Sequence, residues 1–441
     1  MIMSRRISYK VFLTVAVLLA ACAGVSAQET AYSAYSPYSI FGVGDLSRQG
    51  TAYNRSMGGV GVALRSNRFI NIVNPAAVTA RDSLAFMADF GIYGDNKVFS
   101  QENIKSVNNT FNIGSLAMSF PIWRSSAMMI GITPYSDTGF GSSFRYTDPD
   151  VIGNIGNINF TAEGNGSIYK FFAAAGVTFF DRLSLGAELD YYFGKISKTY
   201  DTSISDASYV SISNNTMLQM TALGGKFGIQ YEQPIGDEAR LGVGATYSTS
   251  ANLKGYYQDS RLSVGSAVTD TLKFSVDTLG LQRKVSLAPE IGVGISFRYA
   301  DRLTLAFDYS WSDWTASGIG SLSGFSETSS PFSASKTESY RFGMEFVPNR
   351  NDIRYYLNRV AYRVGAYYKN DYFLLNGEKV PSMGVTLGAT FPIFRLYNGL
   401  TVGLEFGQRG SLRNAMVRER YLNFSVGVNI FDIWFQKPQY D

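Results

Sequence analysis

The feature that most constrains this chain is a period of two in its hydrophobic pattern. Leu185, Ala187, Leu189, Tyr191 and Phe193 alternate with Gly186, Glu188, Asp190, Tyr192 and Gly194. Leu303, Leu305, Phe307, Tyr309 and Trp311 alternate with Thr304, Ala306, Asp308, Ser310 and Ser312, and Leu400, Val402, Leu404 and Phe406 with Thr401, Gly403, Glu405 and Gly407. Side chains of a strand point to opposite faces in turn, so each stretch is a strand with one apolar and one small or polar face. Between Ser83 and Trp434 the pattern recurs about fourteen times, about 25 residues per strand with its connection, which suits a transmembrane barrel. A soluble multi-sheet protein packs its apolar faces together; a membrane barrel turns them to lipid and lines its lumen with the other face.

Connection lengths favour the barrel. Long polar connections are expected at Asp95–Asn108, Ser136–Asn157, Asp201–Ser208, Tyr257–Thr271, Ser317–Lys336, Asp371–Pro381 and Gly410–Arg418. Between them fall short ones at Ile122–Ser126, Asp181–Leu183, Pro234–Ala239, Ala300–Arg302 and Phe394–Gly399. Pro348–Asn358 breaks the rule by its length. Outer-membrane barrels alternate long outer loops with short periplasmic turns in this way. Trp123 with Phe120, Phe179 with Phe180, Trp311 with Trp314 and Trp434 with Phe435 sit near strand ends, where aromatic girdles meet the bilayer interface.

Two counts remove most chemistry. There are 0 histidines and 1 cysteine in 441 residues. A Ser-His-Asp triad, a Cys-His pair, a histidine metal site, an internal disulfide and a cysteine cluster are all excluded within the chain. No enzyme, no cofactor and no metal are expected. The net charge of +4 is spread without a basic block, so no nucleic-acid partner is expected. Charged residues are only 17% and glycines number 44, a balance that disfavours a helical enzyme or a disordered chain.

Arg5, Arg6 and Lys10 precede the apolar run Val11–Ala21, too short to span a bilayer comfortably, and Val25-Ser26-Ala27 offers a cleavage site. Residues 1–27 are read as a secretory signal. The alternative is Leu19-Ala20-Ala21-Cys22, a lipoprotein-type signal that leaves Cys22 lipidated. Residues 28–82 are irregular and rich in small residues, and are expected to form a hatch inside the lumen; residues 83–441 are expected to form the barrel.

In the hatch, Gly58, Gly59 and Gly61 permit close backbone approach or positive φ, and Pro75 stops a helix from running through Asn74. Gly59-Val60-Gly61 lacks the further glycine and βαβ context of a dinucleotide site. By the alternation, Glu188, Asp190, Lys226, Glu232, Glu290, Asp308, Arg341, Glu345, Arg363, Glu405 and Arg409 point into the lumen. They are expected chiefly to pair with one another and with the hatch backbone. Arg341 and Arg363 are the candidates for an anionic headgroup, because a guanidinium binds a carboxylate through two parallel bonds.

The stretch Asn54-Arg55-Ser56-Met57-Gly58-Gly59-Val60-Gly61-Val62-Ala63, followed by Asn71-Ile72-Val73-Asn74-Pro75-Ala76, resembles the hatch of the FadL/TodX family of outer-membrane transporters. Pro289–Gly294, Leu303–Tyr309, Asp313-Trp314, Tyr340–Gly343 with Glu345, and Tyr362–Gly365 are similar to that family's late strands. Glu405–Gly410 through Trp434-Phe435 resembles the branch found in Bacteroidota. The resemblance implies a cell outer-membrane β-barrel of about fourteen antiparallel strands. It also implies passive uptake of small hydrophobic molecules, long-chain fatty acids or aromatic hydrocarbons, past a hatch whose gate involves Gly58, Gly59, Asn74, Pro75 and Ala76. Arg341, Glu345, Arg363, Glu405 and Arg409 are then the lumen charges, and Gly318–Phe332, with Ile319, Leu322, Phe325 and Phe332, is either a capture surface among the outer loops or an ordinary loop stabilised by those same residues. Related barrels imply an alternative, a scaffold that binds protein partners in a secretion or barrel-assembly complex. A nonspecific porin is disfavoured by the plug.

Overall fold

The computed structural model describes residues 34–433 except 83, 103, 124, 207, 266–268, 323–330, 394–397 and 415. The signal region with Cys22 and Ala27, and the girdle candidates Trp434 and Phe435, lie outside the described residues.

Fourteen antiparallel strands close on themselves. They are β1 (Ala85–Gln101), β2 (Ile104–Trp123), β3 (Ser126–Arg145), β4 (Ile158–Phe179), β5 (Leu183–Ile204) and β6 (Ser211–Ile235). Strand β7 runs as Ala239–Ser248 and Ala251–Val264, both against β6. Strand β8 runs as Thr269–Leu279, Ser286–Leu287 and Glu290–Tyr299, all against β7. Next come β9 (Leu303–Asp313) and β10 (Phe332–Ala334 with Lys336–Phe346). The last are β11 (Ala361–Leu375), β12 (Glu378–Pro392), β13 (Gly399–Arg409) and β14 (Arg418–Ile433). Strand β14 pairs with β1 from Arg418↔Ser100 to Ile433↔Ala85, which closes the ring. Closure removes the strand edges that an open sheet would expose.

The alternation sorts as the sequence dictates. Leu185, Leu189, Phe227, Val293, Phe307 and Leu404 are exposed on the outer wall, while Ser184, Glu188, Asp190, Lys226 and Asp308 are buried. An outer belt of exposed apolar side chains on this scale fits lipid and not water. Trp123 and Phe180 lie exposed at the short-turn ends of their strands, as girdle residues should. Trp314 does not. It is 2% exposed, because the chain turns inward after β9 and lays the indole against Tyr372, with ring centroids 4.8 Å apart.

Several connections expected as long loops are instead strand. Strands β1 and β2 meet at a tight turn after Gln101, and β11 and β12 turn at Asn376-Gly377. Strand β6 has 25 residues. Only about 9–11 residues are needed to cross a bilayer, so the sheet continues well past the hydrocarbon on the long-loop side. The β11–β12 extension was missed as strand because Asn370, Asp371, Tyr372 and Phe373 are buried in succession, which erases the alternation of faces.

One seam of the wall is incomplete. Strands β2 and β3 pair only from Leu116↔Ile132 to Trp123↔Ser126. Beyond that, Ile104–Ser115 pair with β1 alone. Strand β3 stays paired with β4 through a register irregularity between Pro134 and Ser136, and the edge it no longer shares with β2 is taken by the N-terminal segment. Asp45 and Leu46 pair with Asp137 and Ser136, and the Ser36 and Ser47 N–H groups donate to the Gly139 and Tyr135 carbonyls.

Candidate functional site

The N-terminal segment 34–82 touches the inner face of nearly every strand, so it occupies the lumen. Its fold follows from a few polar residues. The Thr51 N–H donates to Asn54 Oδ1 at 3.1 Å, which starts the short helix Ala52–Arg55, and Asn54 Nδ2 donates to the Val60 carbonyl at 2.9 Å. Gly58 and Gly59 then adopt φ of +70° and +81°, as the sequence anticipates. Asn74 Oδ1 accepts the Ala76 N–H at 3.0 Å, and Pro75 opens a 3-10 helix, Pro75–Thr79. Pro75 supplies the φ of a first helical turn and lacks the N–H that such a turn leaves unpaired.

The barrel supplies the seat. A Cβ at Gly228 would stand 2.0 Å from Asn74 Oδ1, and one at Gly365 would stand 2.2 Å from the Gly58 nitrogen. Inward-facing glycine thus lets hatch backbone lie directly on wall backbone. Direct bonds fix the register: the Gly58 N–H donates to Thr386 Oγ1 at 2.8 Å, and the Gly61 and Val62 N–H groups donate to Asp308 Oδ2 at 2.6 and 2.9 Å. Asn74 Nδ2 reaches the Val62 carbonyl at 2.7 Å, and the Ile229 and Ala245 carbonyls of β6 and β7 at 3.3 and 3.4 Å. Asn74, Pro75 and Ala76 are therefore bound to the wall, with Gly58 and Gly59 on the opposite side of the plug.

The charges expected in the lumen are all on the inner face, buried or lining internal cavities. Arg409 is a hub, 2.6 Å from Asp45, 2.7 Å from Asp371 and 3.7 Å from Glu419. Burial opposes the Asp45 carboxylate, but Arg409 and Lys97 outweigh it and hold its pKa below the ordinary aspartate value. Glu405 pairs with Arg48 of the hatch and accepts the Tyr367 hydroxyl. Glu345 accepts Arg363 at 2.8 Å and Arg350 at 3.1 Å. Arg363 also donates to Thr390 Oγ1 at 2.6 Å and lies 4.4 Å from the Tyr53 ring centroid, which leaves it committed to the wall and hatch. Lys170 bridges Glu188 at 2.9 Å and Asp190 at 3.3 Å. Arg341, beside Gly59, has no ion pair among the described residues and faces a cavity of about 160 Å³.

That cavity lies between the hatch and an apolar roof. Its lining joins Leu46, Leu287, Tyr135, Tyr192, Trp314 and Tyr372 to Lys170, Lys226, Arg341 and Lys369, to the carboxylates Asp45, Asp190, Glu290, Asp371 and Glu405, and to several hydroxyls. In the roof, Phe41 packs on Phe373 at 5.3 Å, and the Tyr372 hydroxyl donates to the Phe41 and Gly44 carbonyls at 3.0 and 2.7 Å. The Gly318–Phe332 segment, expected as a capture surface, contributes Ile319 and Leu322 to this roof, fully or almost fully buried. Phe332 is half-buried, its ring stacked on Phe41 at 5.7 Å, and Phe325 lies outside the described residues. No group of three or more acidic or cysteine side chains able to hold a metal occurs among the described residues.

Sequence reasoning missed Asp45, Arg48, Lys170, Asp371, Glu419 and the β2–β3 seam. The partners lie in segments without alternation, or at positions where a lone charge in a strand looks like any other. Pro134, inside an otherwise regular strand pattern, was the available signal for the seam, since proline breaks a ladder.

The model of the BamG family matches residues 3–441. No curated protein sequence matches the chain. Among solved structures, the Pseudomonas putida toluene transporter TodX is 15% identical with a TM-score of 0.58, over 88% of this chain and 98% of that one. The Ralstonia pickettii toluene transporter TbuX is 15% identical at a TM-score of 0.54, over 87% and 98%. A Pseudomonas aeruginosa FadL homologue is 12% identical at 0.54, over 88% and 98%. At these identities the likeness is one of fold: the chain has the architecture of FadL-type barrels.

Proposed function

This chain belongs to the BamG family, and we propose that it resides in the outer membrane, with its short turns in the periplasm, as a FadL-type channel for passive uptake of small hydrophobic molecules. The observation that carries this reading is the β2–β3 seam, where β2 keeps a free edge, Asp45 and Leu46 of the hatch lie along the edge of β3, and Leu46 and Tyr135 line the cavity. On the lipid side Phe111 and Ile113 are exposed along the unpaired length of β2. An apolar solute held under the roof would leave sideways into the bilayer without crossing the polar periplasmic mouth. The toluene transporters that share the fold agree with this class of cargo. Hatch residues Gly58, Gly59, Asn74, Pro75 and Ala76 would shape the floor of the path. Cells expressing the protein should accumulate toluene or a fluorescent fatty acid faster than cells lacking it; equal accumulation across several ligand classes defeats the reading.

A second reading is favoured by two particular observations. The family model that spans the chain is that of BamG, while the transporters match only in fold. The residual lumen is crossed by ion pairs and roofed by packed aromatics, which suits a braced plug. On this reading the barrel is a scaffold subunit of an outer-membrane secretion or barrel-assembly complex, and protein partners bind its outer surfaces. Co-purification of a defined stoichiometric partner from native membranes, with no uptake in whole cells, separates the two.

A further inference from the structure

The connection 347–360 is the long exception among the short turns, and neither reading uses it. It is a built structure. The Asp352 carboxylate accepts the Arg354 and Tyr355 N–H groups at 2.8 Å each and Asn358 Nδ2 at 2.5 Å, while the Asn349 N–H donates to the Asn358 carbonyl at 2.8 Å. Its one carboxylate is thus spent on holding the loop. Two phenols pin it to the rim: Tyr362 donates to the Leu357 carbonyl at 3.2 Å and Tyr356 to the Pro392 carbonyl at 2.9 Å. Tyr362 stands on the outward face of β11, so Leu357 is held against the outer wall. Ile353 is 102% exposed and Leu357 64%.

Inboard of this apolar edge lies a cavity of about 230 Å³ whose described lining includes Arg68, Arg350 and Arg359 and no carboxylate. Arg350 is committed to Glu345 and the Asp301 carbonyl. Among the described residues Arg359 makes no hydrogen bond or ion pair, although, after the Asn358 hydrogen bond, its charge helps to hold the Asp352 pKa below the ordinary value from beyond contact distance; its Nε is buried without a partner, and its guanidinium lies 5.1 Å from the Tyr356 ring centroid. Arg354 sits on the adjacent Tyr355 ring at 5.2 Å.

We propose that this rim is a binding site for an anionic phospholipid of the periplasmic leaflet, its phosphate held by Arg359, with Arg354 of the same loop adding positive charge at the rim, and its acyl chains along Leu357 and the outer wall. The charge argues for it: Arg359, whose buried Nε has no partner among the described residues, calls for an anion in a pocket lined by no described carboxylate, and phosphate accepts guanidinium bonds in pairs. The position argues for it as well, since Tyr and Arg beside exposed Ile and Leu, at the end of a membrane strand, match the depth where headgroup meets hydrocarbon. The inference rests on the barrel's orientation and not on whether it transports or scaffolds.

The test uses the full chain in nanodiscs of phosphatidylcholine doped with phosphatidylglycerol, released and weighed by native mass spectrometry. The unmodified barrel should retain phosphatidylglycerol in preference to phosphatidylcholine. Arg359→Gln together with Arg354→Gln should lower that retention about tenfold, the scale expected for losing a charge-assisted pair. Arg359→Lys, which keeps the charge but loses the planar pair of donors, should retain an intermediate amount. Heat-dependent gel migration reports folding of each variant. Equal retention of the two lipids, or retention unchanged in the folded double variant, overturns the proposal. A titration of the detergent-solubilised barrel with inorganic phosphate separates the sources: Arg359-dependent phosphate binding without phosphatidylglycerol retention assigns the pocket to a free anion and overturns the lipid.

Discussion

Asp308 on β9 accepts the backbone N–H of Gly61 at 2.6 Å, and with the same oxygen that of Val62, so one wall carboxylate holds the turn at the centre of the plug. It is buried, and its other oxygen has no hydrogen-bond partner among the described residues. Bonds from neutral donors to a carboxylate contribute roughly 1.5–3 kcal/mol each. Asp308→Ala should therefore loosen the plug by about 3 kcal/mol while the strand ladder stays closed. In planar bilayers the variant should show frequent large conductance steps that the parent lacks, with normal heat-dependent migration. Conductance identical to the parent would mean that the plug is held elsewhere.

Arg409 offers a test with pH. Removing it by Arg409→Ala leaves Asp45, Asp371 and Glu419 together in the interior, and breaking such a pairing costs about 3–5 kcal/mol. The denaturation midpoint should fall sharply without loss of export. The Asp45 pKa is lower in the folded chain than in free aspartate, so its stabilising contribution is complete above about pH 4 and is lost as the pH falls through the folded value. The parent should lose stability on acidification toward pH 2, as far as Asp45 is concerned; in Arg409→Ala that share of the acid sensitivity should vanish. Parallel acid profiles would place the sensitivity in other carboxylates.

The seat of the hatch predicts an asymmetry between floor and wall. Ala76 is fully buried and its nitrogen lies 2.4 Å from the position of a Cβ on Gly186. Pro75→Ala with Ala76→Leu should displace the 3-10 helix and alter accumulation of a fluorescent fatty acid, while surface levels stay normal. Gly228→Ala, which drives a methyl against Asn74 Oδ1 from the wall side, should give the same phenotype. A change from the hatch variant alone would separate a local gate residue from a shared seat.

Much of this architecture was legible because strand alternation is a local property. The count of strands, the inward set from Glu188 to Arg409, and the glycine and proline roles in the hatch each depend on residues one or two positions apart. What was not legible is set by tertiary contact. Trp314 reads as a girdle residue until the turn at Asp313–Thr315 takes it inward. Ile319 and Leu322 read as an exposed capture surface, yet a roof needs the same residue types. The partners of Arg409 come from three distant places, Asp45, Asp371 and Glu419, which no spacing connects. The strand extension of β11 fails for another reason: Asn370, Asp371, Tyr372 and Phe373 are buried in succession, so the period of two that announces a strand is lost there.

The seam between β2 and β3 gives the test that bears most directly on transport. The ladder stops at Leu116↔Ile132, and the pair that would continue it is Ser115 with Thr133. Both side chains are buried in the interior, so cysteines there do not face lipid. Ser115→Cys with Thr133→Cys should be sealed by oxidation if the two strands approach within disulfide reach, roughly 4.4–6.8 Å between Cα atoms. Sealed barrels should accumulate toluene no faster than cells lacking the protein, and reduction should restore the rate, because the hatch and roof are untouched. Each single-cysteine variant controls for the substitutions themselves. Transport that persists at full rate through the oxidised, sealed seam would remove lateral exit from the mechanism and leave the scaffold reading as the better account of the open edge.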